Sequence, residues 1–212
     1  MITALLLTAA WVSFAQTKVT ERVIVNNQDL LELKFDFADD IAVKTWDKNE
    51  VLVEVSVTIN NGEYDHIFSL EKRETTRSII IEMDKDMWDK VDRKGNNCNW
   101  QTDIDYTVYM PKNMTVDAYT ISGNFLLSSY PSDMRLKTIS GDIDISVASS
   151  AGVDFKAKTI SGEIYSDLDI DYPEGKDGLR QIVGMNVKGR VNKGGTPMEL
   201  ETISGNIYLR KG

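Results

Sequence analysis

The sequence holds one cysteine, Cys98, and one histidine, His66, in 212 residues. A lone thiol cannot close an intramolecular disulfide, so stability has to come from packing and backbone pairing. The lone histidine has neither a nucleophile elbow nor a metal-ligand cluster around it, so it reads as a surface or turn residue and gives no hydrolytic triad or zinc site. Positive charge is also scarce. With 24 Lys and Arg against 33 Asp and Glu, the net charge is −9, which argues against nucleic acid or an anionic membrane surface as partner, since both are recognised through cationic excess. The Gly-Gly-x-Gly-x-Asp signature of calcium-binding nonapeptide repeats is missing. No stretch reads as a helix of more than one or two turns. The composition itself, 42% hydrophobic and 27% charged, is that of a core-forming globular chain of one domain or two small ones.

The N-terminal "MITALLLTAAWVSFAQ" is apolar from Ile2 to Phe14. That run is shorter than the roughly 18 residues a spanning helix needs, and polar sequence follows immediately. Small residues at Ser13 and Ala15 predict a signal peptide over residues 1–15, cleaved after Ala15. An exported protein is therefore expected, periplasmic, on the outer surface or secreted. Its remaining chain should carry no transmembrane segment, and no cysteine follows the apolar run to carry a lipid.

The tetrapeptide Thr-Ile-Ser-Gly occurs four times, starting at Thr120, Thr138, Thr159 and Thr202. The copies read "VDAYTISGNFLL", "MRLKTISGDIDI", "FKAKTISGEIYS" and "MELETISGNIYL". Before each Thr, apolar or small residues fall at every second position, as in Met134, Leu136, Thr138. After it the alternation shifts by one, as in Ile139, Gly141, Ile143, Ile145. A period of two means strand, and a phase shift at one fixed place means a corner there. Glycines 123, 141 and 162 lie 18 and then 21 residues apart, too close for a βαβ unit of roughly 30 or more residues and right for one coil of a parallel β-solenoid. The gap to Gly205 predicts a degenerate coil in "GMNVKGRV", with Val187, Gly189 and Val191 inward, which gives about five rungs. A polar loop, "DIDYPEGKDGLRQ", is inserted before it near 168–181. Repetition then serves stacking, because coils about 4.8 Å apart set equivalent residues in columns.

The first half reads as strands over 22–26, 30–37, 41–45, 51–59, 67–72, 77–83 and 104–110, with "TWDKNE" as a turn. We expect an N-terminal β region, residues 16–110, to cap solenoid repeats over 111–212, the two forming one continuous all-β domain. "YLRKG" ends the chain, where Arg210 and Lys211 would discourage strand pairing between copies.

The segments "IAVKTWDKNEVLVEVSV" and "DYTVYMPKNMTVDAYTISGN", followed by the Thr-Ile-Ser-Gly-x-Ile units, resemble a bacterial putative-adhesin family of unknown function, related to the head domain of auto-transporter adhesins. The likeness covers about residues 30–210. It implies a right-handed β-helix-like fold in exported or envelope-associated proteins, and it brings no catalytic residues and no cofactor.

For function, the expectation is a non-enzymatic envelope or surface module that binds or assembles. The alternatives are a polysaccharide-acting β-helix enzyme and a purely structural envelope component. An enzyme of that kind needs clustered carboxylates, and the outward column after the glycines offers Asp142 and Glu163, with Asp144 on the face of Asp142. A binding role has Trp88 and Trp100, in a long polar segment suited to sugars or protein partners, together with Tyr165 and Tyr208, which point outward from equivalent places. Leu126, Asp144 and Asn192 occupy that place in the other rungs. The expected partner is a glycan or an envelope protein, and an oligomer is allowed.

Overall fold

A computed structural model describes residues 16–91, 100–128, 132–172 and 185–212. The expected signal peptide, Cys98 and most of the 168–181 loop lie outside the described residues. In chain order the strands are β1 (Thr17–Ile24), β2 (Leu30–Lys34), β3 (Phe37–Trp46), β4 (Glu50–Ile59), β5 (Leu70–Glu74), β6 (Ser78–Met83), β7 (Thr102–Pro111) and β8 (Thr115–Leu127). They continue with β9 (Met134–Ser140), β10 (Ile143–Val147), β11 (Val153–Ser161), β12 (Ile164–Ser166), β13 (Ile170–Asp171), β14 (Met185–Val191), β15 (Thr196–Ser204) and β16 (Ile207–Lys211). Two short 3-10 turns, Asp65–Ile67 and Lys85–Lys90, are the only helical pieces among the described residues. The protein is all-β.

All sixteen strands belong to one large open sheet, bent along the Thr-Ile-Ser-Gly line. The long strand β8 runs through the bend: Val116–Ser122 pairs with β9, and Asn124–Leu127 pairs with β3. One wing has the order β5-β6-β2-β8-β9-β15-β11-β14-β13 and the other β1-β4-β7-β3-β8-β10-β16-β12. The ladders that join the four repeat copies are parallel, so a meander of hairpins is not what the repeats build. Antiparallel pairing is confined to the flanks, at β1-β4-β7, β5-β6 and β11-β14-β13.

The alternation read from the sequence is the burial pattern. Val116, Met134, Met198 and Phe155 form one inner column, Ala118, Leu136, Leu200 and Ala157 the next, and in the other wing Phe125, Ile143 and Ile207. Both wings contribute to a single hydrophobic cluster. Each of these Val, Leu, Ile, Phe and Met side chains contributes about 1.5–3 kcal/mol on burial.

At the corner the four threonines are fully buried. The bend takes the glycine carbonyl out of the backbone ladder, and the threonine of the adjoining copy supplies the donor: Thr138 Oγ1 donates to Gly123 O at 3.2 Å, Thr202 to Gly141 O at 3.0 Å and Thr159 to Gly205 O at 2.9 Å. A Cβ on Gly141, Gly205 or Gly162 would sit on the carbonyl oxygen of the neighbouring glycine, so close backbone approach explains why this column holds only glycine. The motif isoleucine was expected as the first inward residue after the corner. Instead it turns outward, with Ile160 42% exposed. Thr and Gly, three residues apart, both face the interior, which leaves Ile and Ser on the convex side of the bend.

Two further expectations are corrected. Strand β14 runs antiparallel to β11 and is not the degenerate parallel rung read from "GMNVKGRV". The copies also do not stack in chain order. Strand β15 lies between β9 and β11, and β16 between β10 and β12, so the spatial order of the motifs is 120, 138, 202, 159. The turn Asn192–Gly195 makes this possible by crossing the start of β11. All four of its residues have positive φ, and Gly195 N donates to Asp154 Oδ2 at 2.8 Å. "YLRKG" is consequently an interior strand: Arg210 Nε pairs with Asp144 Oδ1 at 2.8 Å and Lys211 Nζ with Asp169 at 3.3 Å. The first-half strands fall close to expectation, except that Ile67 closes a 3-10 turn and its strand starts at Leu70.

Candidate functional site

In the first repeat-like unit, β2 passes to β3 through "FDFADDI", with Leu31, Leu33, Phe35 and Ile41 buried and Phe37 on the corner. The unit beside it, β6 to β7, replaces the tight corner with the tryptophan-bearing segment. Asp84 caps the turn Lys85–Lys90 by accepting from Asp86 N at 2.9 Å, from Ser69 Oγ at 3.0 Å and from Lys90 Nζ at 3.1 Å. The Lys90 ammonium, with the Ser69 hydroxyl, holds the Asp84 carboxyl below the usual carboxylate range. Met87 is fully buried and pins the turn to the core, which sets the adjacent Trp88 half-buried over Phe37.

Trp88 stands edge-on to Phe37 with ring centroids 5.9 Å apart, and Trp100 stands edge-on to Trp88 at 6.3 Å. Tyr64 contacts Trp100 at 5.2 Å, and His66 stacks on Tyr64 at 6.5 Å. His66 is thus an exposed turn residue. Phe37, Trp88, Trp100 and Thr102 line a cleft of about 370 Å³, large enough for a small ring. Trp100 is 41% exposed. Trp88 Nε1 is buried without a hydrogen-bond partner. The cleft is therefore an aromatic surface open to solvent, formed where the start of β3, the Lys85–Lys90 turn and the residues leading into β7 meet.

Strands β3 and β7 also carry four aspartates, Asp39, Asp40, Asp103 and Asp105. Asp39 Oδ2 accepts from Ile104 N at 2.8 Å, and Asp105 Oδ1 accepts from Asp40 N at 3.3 Å. Asp103 adjoins Thr102. Burial and then the neighbouring charges, Asp103 first, push the Asp105 carboxyl above its ordinary value.

The other two sequence candidates form a separate pair. Because β16 and β12 are neighbours, Tyr208 and Tyr165 stack at 5.3 Å with rings 9° from parallel, where the expected chain-order stack would have set the degenerate coil between them. The Arg210 guanidinium lies 5.0 Å over Tyr208, and the Tyr165 hydroxyl hydrogen-bonds Glu163. Three strand spacings, about 14 Å, separate this pair from β3 and the tryptophan cleft, so the four candidates make two sites. Phe37, Tyr64 and the aspartates escaped the sequence reading. The acidic "ADDI" and "TDID" runs become neighbours only once β3 and β7 are in register.

Asp142 and Glu163 belong to the ladder that follows the glycines. Asp142 N donates to Asn124 Oδ1 at 2.9 Å, Asn206 N to Asp142 Oδ1 at 2.7 Å and Glu163 N to Asn206 Oδ1 at 3.0 Å. Asparagines at 124 and 206 separate the carboxylates in this column, where like charges one strand apart would repel. Asn192 lies in the crossing turn, outside the column. A larger groove of about 640 Å³ runs across the first wing, with Met134, Phe155 and Met198 in its lining; there Glu199 pairs with Lys156 at 2.6 Å and Arg135 at 3.2 Å. Among the described residues no group of His, Cys, Asp or Glu is arranged to hold a metal ion, and no helix is long and apolar enough to cross a membrane.

No family model and no curated protein matches this chain. Solved structures do. A putative cell adhesion protein from Clostridium sporogenes aligns with a TM-score of 0.55 at 12% identity, covering 93% of this chain and 100% of that one. Putative adhesins from Bacteroides fragilis (TM-score 0.34, 9% identity, 93% and 98% covered) and Parabacteroides merdae (0.33, 11%, 70% and 68%) are similar over less of their geometry. The first likeness establishes a shared fold and, at that identity, nothing beyond the fold.

Proposed function

We propose that this protein is a non-enzymatic binding module of the bacterial cell envelope, exported by way of residues 1–15, whose ligand seats on the Phe37, Trp88 and Trp100 cleft. The observation that carries this reading is the cleft itself: aromatic faces left open to solvent on elements anchored by Met87 and by the Asp84 cap, where a packing role would have buried them. The fold likeness to a protein described as a cell adhesion protein supports a surface role. The parallel register of the four motifs supports reading them as a short, right-handed β-helix-like stack of the kind found in the auto-transporter adhesin relatives, with residues 16–110 as its cap. The partner is an envelope glycan or protein. Catalysis is not part of this reading, because Asp142, Asp144 and Glu163 are each engaged by a backbone amide, Arg210 or Tyr165. An array of envelope glycans and peptidoglycan fragments tests it. Binding that Trp100→Ala abolishes without a change in melting temperature is expected, and binding that survives both Trp88→Ala and Trp100→Ala refutes the cleft.

A second reading, a self-assembling envelope component, is favoured by the exposed Ile160, Tyr165, Tyr172 and Met185 gathered at the β11-β14 end of the sheet. Sedimentation over a hundredfold concentration range checks it. Strictly monomeric behaviour counts against it.

A further inference from the structure

Residues 196–212 fill a slot. Strand β15 enters between β9 and β11 with parallel register on both sides, and β16 does the same between β10 and β12. Both walls of the β15 slot carry outward positive charge, Arg135 and Lys137 on β9, Lys156 and Lys158 on β11. The two outward glutamates of β15 meet them in cross-strand rows. Glu199 lies 3.2 Å from Arg135 and 2.6 Å from Lys156, and Glu201 lies 3.9 Å from Lys137 and 3.1 Å from Lys158. Lys156 holds the Glu199 carboxyl below the usual carboxylate range. Without β15, closing β9 onto β11 in the same register would set Arg135 against Lys156 and Lys137 against Lys158, and like charges directly opposite repel. The slot therefore selects a strand with acids at both outward places and an apolar residue between them, here Leu200. Of the four motif strands only β15 offers this, since the corresponding outward pairs are Asp117 and Tyr119, Arg135 and Lys137, and Lys156 and Lys158.

The connection that delivers β15 to this slot is strained. Asn192, Lys193, Gly194 and Gly195 all have positive φ, a conformation that non-glycine residues adopt at a cost. The turn also presses on Gly152, where a Cβ would sit 2.3 Å from Gly194 O. A short connection under strain favours exchange of the segment it delivers, because the extended chain relieves the turn and every native contact is remade with a second copy. We propose that two copies of this chain exchange residues 196–212, Glu199 and Glu201 of one chain seating between the partner's Arg135 and Lys137 on one wall and the partner's Lys156 and Lys158 on the other. The assembly is twofold and closed. It depends on neither the aromatic cleft nor the exposed apolar side chains at the β11-β14 end.

Two charge variants of the whole chain test it. One carries Glu199→Lys and Glu201→Lys, the other Arg135→Glu, Lys137→Glu, Lys156→Glu and Lys158→Glu. Alone, each sets like charges across the slot and should melt several degrees below the wild type. Refolded together from denaturant, they should form a one-to-one dimer that melts near the wild type, because each segment then fits the other chain's slot; native mass spectrometry and a thermal melt read both. In the otherwise unaltered chain, Gly194→Ala with Gly195→Ala sets one methyl group against Asp154 and another against the Gly152 carbonyl. The closed turn is then disfavoured, and the dimer fraction after refolding should rise at least about tenfold by sedimentation. Mixed charge variants that give no one-to-one dimer would overturn the exchange, as would a turn variant that gains no dimer. Dimers formed equally by the wild type, the turn variant and each charge variant alone would place association elsewhere on the surface and likewise overturn it. Charge variants that each melt like the wild type would remove the selection by Glu199 and Glu201, and the assignment with it.

Discussion

Removing residues 196–212 should do far more than fray an end. In a stack laid down in chain order these residues would form the last coil, and its loss would expose one new edge. Here β15 and β16 are the middle of the assembly, with β9 and β10 on one side and β11 and β12 on the other. Met198, Leu200, Ile207 and Leu209 are each at most 2% exposed, so their burial contributes roughly 6–12 kcal/mol at about 1.5–3 kcal/mol each. The hydrogen bonds Thr202 to Gly141 and Thr159 to Gly205 go with them. Against a total stability of about 5–15 kcal/mol for a domain, that loss removes the cooperative fold of the repeat region. The assay is a far-UV circular dichroism melt combined with amide hydrogen exchange. Protection of β9 and β11 should fall to unfolded rates in the truncated chain. A truncated protein that melts cooperatively within a few degrees of the full chain, with β11 still protected, would show that β9 and β11 pair directly, and would refute the interleaved order.

Other perturbations follow the same geometry. Gly205→Ala sets a methyl group on the Gly141 carbonyl and should cost several kcal/mol by denaturant titration, whereas Ser204→Ala, on the exposed convex side, should cost less than about 0.5 kcal/mol. Thr202→Val keeps the shape but leaves the buried Gly141 carbonyl without its donor, for a loss of about 1–3 kcal/mol. The Asp105 carboxyl sits above its unfolded value in the folded chain, so the native state binds the extra proton and its charge costs stability as pH rises through that window. Asp105→Asn, still able to accept from Asp40 N, should raise stability at pH 7 by less than about 1 kcal/mol given its exposure, and the gain should vanish at acidic pH. Asp84 behaves in the opposite sense. Its depressed value contributes stability above the unfolded value near 3.9 that is lost as pH falls through the folded one, and Asp84→Asn should abolish that part of the acid dependence in pH-dependent melts.

The strands and the corner were legible because period-two alternation and its break at Thr-Ile record which face each residue takes. The orientation of the motif isoleucine was not, since a bend lets two consecutive residues lie outside and parity cannot say which apolar residue is lost from the inner row. The order of the copies was hidden for a different reason. Four nearly identical motifs present the same edge to one another, so "TISG" at 202 matches 138 as well as it matches 159, and the choice lies in the positive-φ turn at Asn192–Gly195. That turn also decides the Tyr165 and Tyr208 contact. Trp100 was readable as an exposed aromatic, whereas Trp88 packs half-buried against the core. Their partner Phe37 and the aspartates of β3 and β7 were not readable, because those neighbours arise from register alone.

The most direct test sets two tryptophan losses against each other. Trp100→Ala removes a wall of the corner cleft, while Trp46→Ala removes a ring stacked on Tyr109 at 5.1 Å, with its Nε1 bonded to Glu50 O at 2.8 Å, at the end of β3 before the turn to β4. Ligands found on the envelope-glycan array should lose affinity at least tenfold with Trp100→Ala and be unaffected by Trp46→Ala. Equal losses in both variants, or loss only with Trp46→Ala, would contradict the corner cleft as the binding site.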